Sequence, residues 1–308
     1  MVHISAVIPV YRSKEILPEL NSRLKESLLK ISKDYEIIYV DDMSGDGSWE
    51  VIQGIIRKEK RVRGIRLSKN FGQHAATLCG IEKSSGKYIV TLDDDLEHQP
   101  EFIPGLYKKI SEGYDLVYGV YPDRSHSLWR NTTSSIIRFL FRWAIPSLNF
   151  EYTSFRMLRR ETALALSQFD SPFPFLDGYL SWVTNHYSTV LVEHGKRFHG
   201  TSNYNLGRLI THTINIFVTF SDLPLRLTSW IGIFSFCGGL LGVARILYLK
   251  LVGNIGVSGY ASLMAVLITL NGIQFFILGV FGEYLGRINF KTSKKPLFLI
   301  ADMEGKKP

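Results

Sequence analysis

The sequence predicts an α/β domain with a mostly parallel sheet, followed by a two-helix transmembrane hairpin. The first observation is that short β-branched runs alternate with segments of helical periodicity between Ile4 and Gly119. The second is a pair of apolar stretches near the C-terminus, each about as long as the ~20 residues that cross a bilayer. With 308 residues, of which 45% are hydrophobic and 21% charged, the chain has room for one large domain or two smaller ones.

The strand predictions rest on short apolar runs bounded by turn residues. Such runs are typical of strands buried on both faces of a parallel sheet. Their regular alternation with helices favours right-handed crossover connections. The predicted strands are Ile4–Val10, Tyr35–Val40, Val62–Leu67, Tyr88–Leu92 and Asp115–Gly119.

The helix predictions rest on apolar residues that recur three or four positions apart. Ile16 to Leu28 shows this spacing, and the turn Ser44–Ser48 leads into a second helix that contains Trp49, Ile52 and Ile56. The remaining predicted helices are Asn70–Lys83 and a segment opened by Pro100 and closed near Gly113.

Three consecutive carboxylates, Asp93, Asp94 and Asp95, follow the strand Tyr88–Leu92. Ligand sites of open α/β sheets lie at the carboxyl ends of the strands. Adjacent carboxylates repel one another unless a cation lies among them, and hard oxygen ligands suit Mg²⁺ or Mn²⁺ bound to a diphosphate. The stretch therefore predicts a metal-diphosphate site, and the alternative is a solvated acidic turn.

Several classes of protein are excluded or disfavoured. No Gly-x-Gly-x-x-Gly motif follows the first strand, and Gly86-Lys87 precedes a strand, so neither a dinucleotide fingerprint nor a P-loop is present. Cys79 and Cys237 have no disulfide or metal spacing. The net charge of +8 suits an anionic membrane surface or phosphorylated substrates. Without these motifs, a nucleotide would be bound through carboxylates and a metal ion. This mode of binding indicates a nucleotide-sugar transferase.

Several motifs, in order, resemble those of family 2 glycosyltransferases, and most closely the bacterial polyprenyl-phosphate branch related to dolichyl-phosphate mannose synthase. The resemblance implies a GT-A fold for residues 1–204. The motifs are Val7–Tyr11, Val40–Ser48, Leu67–Gln73, Asp93–Glu101, Phe155–Leu158, Arg197–Tyr204 and Phe220–Arg226.

The same resemblance implies roles for individual residues, each with the alternative of an ordinary surface or core-edge position. Asp93, Asp95 and Glu97 would hold Mg²⁺ or Mn²⁺. Arg124 and Arg197 would meet the donor diphosphate or the acceptor phosphate, and with Asp95 they form the predicted catalytic set. The predicted donor-binding residues are Pro9, Tyr11, Asp41, Asp42, Lys69, Asp93 and Asp94.

One departure from the family pattern concerns the general base. Many relatives have an aspartate, proposed as the base, before the phenylalanine that is Phe155 here, whereas this chain has Ser154. An acceptor phosphate is already ionised near neutral pH, so positioning and charge neutralisation can provide the rate enhancement. The base is therefore unidentified, with Asp177 as a weak candidate.

The C-terminal third predicts membrane attachment. Residues 205–226 are predicted as amphipathic juxtamembrane helices, and 227–285 as a hairpin with spans at about 229–249 and 261–282. Basic residues gather at the outer ends of the hairpin, so the positive-inside rule places both termini, including the tail 286–308, in the cytoplasm. The basic, aromatic segment between Arg124 and Phe150 predicts a membrane-surface contact or a solvated helix face.

The sequence thus predicts a multi-pass protein of the inner (plasma) membrane. The predicted activity is that of an inverting glycosyltransferase that moves one sugar from a nucleotide-sugar donor to a polyprenyl-phosphate acceptor at the cytoplasmic leaflet. Two alternatives stay open: a processive polysaccharide synthase of the same family and a non-catalytic membrane scaffold that retains the fold. A homo-oligomer is also left open, and no nucleic-acid partner is expected.

Overall fold

The computed structural model describes residues 2–121, 152–169, 171, 174–193, 218–219, 221, 223–252, 259–293 and 295–306. The chain forms two compact units. One unit contains an eight-stranded sheet with its helices and includes the C-terminal residues from Lys295 onward. The other contains two long helices between Asn205 and Lys294.

The sheet of the first unit is mixed rather than purely parallel. Its spatial order is β7-β5-β6-β4-β1-β2-β3-β8. Strands β1 to β4 run parallel to one another, and β7 runs parallel to β5. The antiparallel members are β6, between β4 and β5, and β8, beside β3. The strands are β1 Ile4–Val10, β2 Tyr35–Asp41, β3 Val62–Leu67, β4 Tyr88–Thr91, β5 Leu116–Val120, β6 Arg156–Arg159, β7 Tyr187–Leu191 and β8 Ile300–Glu304.

Six described α-helices belong to the sheet-containing unit and two to the other. A 3₁₀ turn at Pro100–Phe102 runs directly into α4. Another 3₁₀ turn, Leu166–Gln168, follows α5. The helices are α1 Leu17–Leu29, α2 Ser48–Lys58, α3 Gln73–Lys83, α4 Ile103–Ser111, α5 Arg160–Ala165, α6 Leu176–Val183, α7 Leu223–Val252 and α8 Tyr260–Thr292.

The central strands are buried because helices cover both faces of the sheet. Residues of β2 alternate between two clusters, with Ile37 and Tyr39 on the side of α1 and α2, and Ile38 and Val40 on the side of α3. All seven residues of β1 and of β2 are buried. Burial on both faces explains why these strands read as continuous apolar runs rather than alternating ones.

The predicted elements up to Val120 are confirmed within two or three residues at their ends. One difference concerns α3, which begins at Gln73 rather than Asn70. The backbone of Gly72 has φ +90° and ψ 158°, a conformation that only glycine adopts readily, so the chain cannot be helical there. The elements from β6 to β7 were not predicted individually, because they are short and have no strong periodicity.

The segment 286–308, predicted as a cytoplasmic tail, contains the end of α8 and a strand of the sheet. Helix α8 continues to Thr292, and Ile300–Glu304 forms the edge strand β8. Its register places Ile65 opposite Met303 and Arg66 opposite Asp302. Additional contacts come from the Ser68 amide, which donates to the Leu299 carbonyl at 2.8 Å, and from Gln53, which donates to Glu304. The C-terminus therefore completes the sheet of the first unit.

The second unit exposes an unusual amount of apolar surface. Within the described residues one helical stretch, Leu223–Gly242, is long and apolar enough to cross a membrane. Its start is tied to α8: the Tyr284 hydroxyl donates to the Ser221 carbonyl at 3.0 Å, and Arg287 donates to Thr219 Oγ1 at 2.7 Å. Large exposed apolar side chains lie on both helices, among them Trp230, Phe234, Phe236, Leu241, Leu251, Leu263, Phe275, Phe276, Leu278 and Leu285.

Candidate active site

Three loops meet at the carboxyl ends of β1, β2 and β4. The register sets Val10 beside Asp41 and Val7 beside Thr91, so the residues that follow these strands gather at one edge of the sheet. Each loop contains one non-glycine residue with a left-handed backbone: Arg12 (φ 59°), Met43 (φ 56°) and Leu96 (φ 60°). Among the described residues no other non-glycine residue has a positive φ. Backbone strain of this kind concentrates at functional sites.

Asp93 lies at the centre of this edge. Its Oδ1 accepts a hydrogen bond from Gln73 Nε2, and its Oδ2 accepts one from Ser154 Oγ at 2.7 Å. His98 Nδ1 lies 3.7 Å from the same Oδ2. Burial raises the pKa of Asp93 above its usual value, and the charge of Asp95 adds to the rise, while His98 and the Ser154 hydrogen bond oppose it. The charged form is therefore poorly stabilised by the protein alone.

Asp94 fixes the loop that follows β1. Its Oδ2 accepts hydrogen bonds from the Tyr11 amide at 2.9 Å and from Ser13 Oγ at 2.5 Å. Burial raises the pKa of Asp94 to about 7, despite these two donors. The contacts place the Tyr11 backbone directly beside the acidic stretch.

Asp95 and Glu97 form the turn that leaves the site. The Glu97 amide donates to Asp95 Oδ1 at 3.0 Å, and the Tyr121 hydroxyl donates to the Glu97 carbonyl at 3.2 Å. Within the described part of the chain, no three His, Cys, Asp or Glu side chains are grouped to hold a metal ion. The predicted trio of Asp93, Asp95 and Glu97 is thus not assembled as a three-ligand cage.

A divalent cation nevertheless fits the residues present. Asp95 is close enough for its charge to raise the pKa of Asp93, so a cation between the two carboxylates would relieve that repulsion. Mg²⁺ is commonly held by one or two carboxylates together with substrate phosphates rather than by an all-protein cage. A two-carboxylate site that is completed by a diphosphate matches this pattern.

Asp41 and Asp42 end β2 and are both buried. Asp41 accepts hydrogen bonds from the amide and hydroxyl of Ser44, and Arg66 Nε lies 3.5 Å from its Oδ2. Asp42 Oδ1 accepts from the Phe71 amide at 2.7 Å, and its Oδ2 accepts from the Gly72 amide at 2.8 Å. Burial raises the pKa of each carboxyl group. Asp42 thus holds the loop between β3 and α3.

The other predicted donor-binding residues lie at the same sheet edge or on the loop after β3. Pro9 lies near the end of β1, where it pairs with Val40 of β2. The Tyr11 side chain is 46% exposed, and the Arg12 guanidinium lies 5.2 Å from its ring centre. Lys69 is exposed, with its Nζ 5.0 Å from the Phe71 ring.

Asp177 lies in a buried ion pair with Arg156. The Tyr118 hydroxyl also donates to Asp177, at 3.2 Å. Arg156 reaches toward the site through its Nε, which is 3.3 Å from Thr91 Oγ1, and that hydroxyl donates to the Ser154 carbonyl at 2.7 Å. These contacts support a structural role for Asp177, as the counter-ion of Arg156, more than a role as general base.

Sequence reasoning did not predict three contacts to Asp93, although it had singled out Ser154 as a departure from the family pattern. Gln73, Ser154 and His98 all approach its carboxylate. His98 is buried and packs on the rings of Tyr121, at 5.7 Å between centres, and Phe155, at 5.6 Å. The motifs Leu67–Gln73 and Asp93–Glu101 contained two of the three, but spacing along the chain does not show which side chains meet.

Arg124 and Arg197 lie outside the described residues, as do the whole segment 124–150 and most of the segment 205–226.

Comparisons with known proteins agree with this geometry. The family model "Glycosyl transferase family 2" matches residues 5–166. An uncharacterised glycosyltransferase of Bacillus subtilis, YkcC, is 31% identical over 306 residues, which cover 99% of this chain and 95% of that protein. An undecaprenyl-phosphate 4-deoxy-4-formamido-L-arabinose transferase of Pseudomonas aeruginosa is 33% identical over 301 residues, which cover 96% of this chain and 89% of that protein.

A solved structure shows the same fold. Glucosyl-3-phosphoglycerate synthase from Mycobacterium tuberculosis, in complex with Mn²⁺, UDP and phosphoglyceric acid, superposes with a TM-score of 0.51 at 19% identity and covers 71% of this chain and 77% of that one. The first unit is thus a GT-A-like α/β domain with a mixed sheet. The prediction of a glycosyltransferase is confirmed. Because the family model covers more than half of the chain and the relatives nearly all of it, the chain belongs to glycosyltransferase family 2.

Proposed function

We propose that this protein is a membrane-bound, inverting glycosyltransferase that moves one sugar from a nucleotide diphosphate sugar to a polyprenyl phosphate. The principal observation is that one chain combines the carboxylate site after β4 with a helix, Leu223–Gly242, that is apolar enough for a bilayer. A soluble acceptor would not require such a helix. The Pseudomonas relative, named for transfer to undecaprenyl phosphate, supports a lipid-linked acceptor.

The donor would bind over the carboxyl ends of β1, β2 and β4. Asp93 and Asp95 would hold Mg²⁺ or Mn²⁺, which neutralises charge on the leaving diphosphate when bound. Tyr11 presents an exposed ring at this edge, and Asp94 fixes its backbone. Pro9, Asp41, Asp42 and Lys69 remain proposed donor-binding residues, and Arg124 and Arg197 remain proposed phosphate contacts.

The reaction would be a single displacement at the anomeric carbon. A phosphate oxygen of the acceptor forms the new bond to that carbon, the bond to the diphosphate breaks, and the configuration inverts. The acceptor oxygen is already ionised near neutral pH, so it has no proton to lose. Ser154 donates a hydrogen bond to Asp93. Asp177, the candidate base that the sequence offered, is paired with Arg156. The chain's contribution is therefore alignment and electrostatic stabilisation.

Exposed apolar surface supports a lipid bilayer as a partner. Soluble monomers rarely leave contiguous apolar surface of this extent open to water. In α7 and α8 these side chains include Phe234, 70% exposed, and Phe275, 72% exposed. In a bilayer, the same side chains would contact acyl chains.

The position of β8 bears on how often the chain would cross the membrane. Strands β7 and β8 both belong to the sheet of the first unit, and the two long helices lie between them in the sequence. A segment that leaves a folded unit and returns to it crosses a bilayer an even number of times. We therefore retain the proposal of a two-span hairpin, with α7 and α8 as the spans and both termini in the cytoplasm of the cell.

Transfer by the purified protein tests the proposal directly. The full chain, in nanodiscs, is incubated with undecaprenyl phosphate, Mg²⁺ or Mn²⁺ and a panel of UDP-, GDP- and TDP-sugars, and lipid products are read by mass spectrometry. The expected product is undecaprenyl phosphate plus one sugar, absent with Asp93→Ala. Products that contain many sugars would indicate a processive synthase instead, and hydrolysis of a donor without any lipid product would contradict the proposed acceptor.

A further inference from the structure

Asp42 and Asp93 lie just beyond the ends of two different strands, β2 and β4, yet a continuous set of contacts joins them. Asp42 holds the amides of Phe71 and Gly72, and the next residue, Gln73, donates to Asp93. The side chain of Asn70 adds a 3.3 Å hydrogen bond to the Asp42 carbonyl. Every residue between Asn70 and Gln73 thus contacts either the end of β2 or the acidic stretch after β4.

The Asp42 carboxylate binds the loop before α3 through two backbone hydrogen bonds. Each carboxylate oxygen accepts one backbone N–H, and hydrogen bonds to an ionised acceptor are roughly twice as strong as neutral ones. These amides belong to the two residues that precede α3, which begins at Gln73. Asp42 therefore acts as a cap on the loop that leads into α3.

Gly72 gives the loop the geometry that this cap requires. Its φ of +90° and ψ of 158° present its amide to Asp42 and direct the chain into α3 at Gln73. A Cβ at this position would have no atom within 4 Å, so the requirement for glycine comes from the backbone and not from crowding. The direction of the Gln73 side chain is thereby coupled to Asp42.

We propose that Asp42 and Gln73 form a positioning relay, defined as Asp42, the loop Phe71–Gly72 and Gln73, that sets the orientation of Asp93 for a divalent cation. This inference rests on the proposed metal-dependent transfer and assigns Asp42 a role that does not require contact with the donor. Gln73 donates to one oxygen of Asp93 and Ser154 to the other, so the relay and Ser154 together restrict the carboxylate plane. Groups that orient a metal ligand commonly change metal affinity by 10- to 100-fold when they are removed.

The test is a double-mutant cycle on metal affinity, measured without nucleotide. The full chain in detergent is titrated with Mn²⁺ alone, and free Mn²⁺ is followed by electron paramagnetic resonance. Gln73→Leu is expected to weaken binding about tenfold, in line with the loss of an orienting group. Asp42→Asn should weaken it in the same direction, and the double variant should bind no more weakly than the weaker single variant. Losses that multiply would contradict the relay.

Two further variants keep the test interpretable. Gly72→Ala should reproduce the Asp42→Asn effect, because it disturbs the loop without changing either carboxylate. Gln53→Leu is the matched control: it removes another glutamine-to-carboxylate hydrogen bond, to Glu304, away from the site, and should leave Mn²⁺ affinity unchanged. The midpoint of thermal unfolding, measured for each variant, identifies any that fail to fold.

The remaining outcomes separate this inference from the proposed function. If wild-type protein binds Mn²⁺ and Gln73→Leu or Gly72→Ala binds it equally well, the relay is wrong while the metal site stands. If Asp42→Asn weakens only the binding of a nucleoside diphosphate, Asp42 contacts the donor directly and the relay is again wrong. If wild-type protein binds no Mn²⁺ without nucleotide, the relay is contradicted, whereas the metal-dependent reaction, whose site a diphosphate completes, is decided separately by transfer in chelator.

Discussion

The Ser154 hydroxyl donates a 2.7 Å hydrogen bond to Oδ2 of Asp93, the first carboxylate after β4. A serine therefore occupies the place where many relatives are expected to have an acidic residue, and it contacts the proposed metal ligand rather than standing apart as a proton acceptor. A serine hydroxyl does not accept a proton at neutral pH, so its contribution is to orient and stabilise Asp93.

Ser154→Ala is expected to lower the rate of transfer about 10- to 150-fold, because a hydrogen bond to a charged group contributes about 1.5–3 kcal/mol. Ser154→Asp should not raise the rate, because it sets a second negative charge beside Asp93 and the acceptor needs no base. The measurement is transfer at saturating donor with membrane insertion verified. A gain in rate of more than tenfold for Ser154→Asp would show that a general base accelerates transfer, which contradicts the proposal that none is needed.

Asp93→Ala and Asp95→Ala should each abolish transfer while the protein still inserts and folds. The diphosphate charge would be uncompensated, which raises the barrier by several kcal/mol. EDTA should have the same effect, and Mg²⁺ or Mn²⁺ should reverse it. Glu97→Ala is the informative comparison: one or two carboxylates with substrate phosphates are enough to hold Mg²⁺, so we expect a smaller loss. Full activity in chelator would refute the metal site.

Asp94 should make stability depend on pH. Burial raises the pKa of Asp94 from its usual value of about 3.8 to about 7, so the folded state disfavours the ionised form. In the unfolded chain the group ionises near its usual pKa, so this residue progressively destabilises the fold as pH rises from about 4 to about 7. In EDTA, Asp94→Asn should therefore unfold at a higher temperature than wild type at pH 8, and the difference should shrink at pH 5. A difference that is equal at both pH values would show that Asp94 does not titrate in this window.

Removal of β8 should destabilise the sheet-containing unit. Truncation before Ile300 exposes the edge of β3 and removes the contact between Gln53 and Glu304. We expect a lower midpoint of thermal unfolding and faster amide exchange in β3. Gln53→Leu, which removes only the side-chain contact, should show a much smaller change. Equal stability of the truncated and full chains would mean that β8 is not held in the sheet.

The proposed hairpin predicts the sides on which reporters lie. A reporter fused after Glu304 should be cytoplasmic, since the basic residues gather at the outer ends of the hairpin. A reporter inserted between Val252 and Gly259 should read the opposite side. Identical readings at both places would contradict the two spans.

Local sequence was sufficient to predict β1, β2 and β3, together with the presence of α1 and α2. The apolar runs Ile4–Val10 and Tyr35–Val40 are buried on both faces, and Leu17, Leu20, Leu24 and Leu28 recur at helical spacing, so periodicity alone identifies them. The acidic stretch could likewise be placed at the carboxyl end of β4, because its residues follow that strand directly in the sequence.

Tertiary structure decided which side chains meet at that edge. Gln73, Ser154 and Asp93 come from α3, from the segment before β6 and from the end of β4, and only the sheet order β6-β4-β1-β2-β3 sets them side by side. The β8 pairing and the Asp42 cap have the same origin, since each joins segments far apart in sequence. Periodicity reports which face of an element is apolar, and it contains no information about which neighbour covers that face. The sequence by itself therefore determined the helices and strands before the acidic stretch and the position of that stretch. Tertiary structure decided the geometry around Asp93, because hydrogen bonds between distant segments exist only after the sheet has formed.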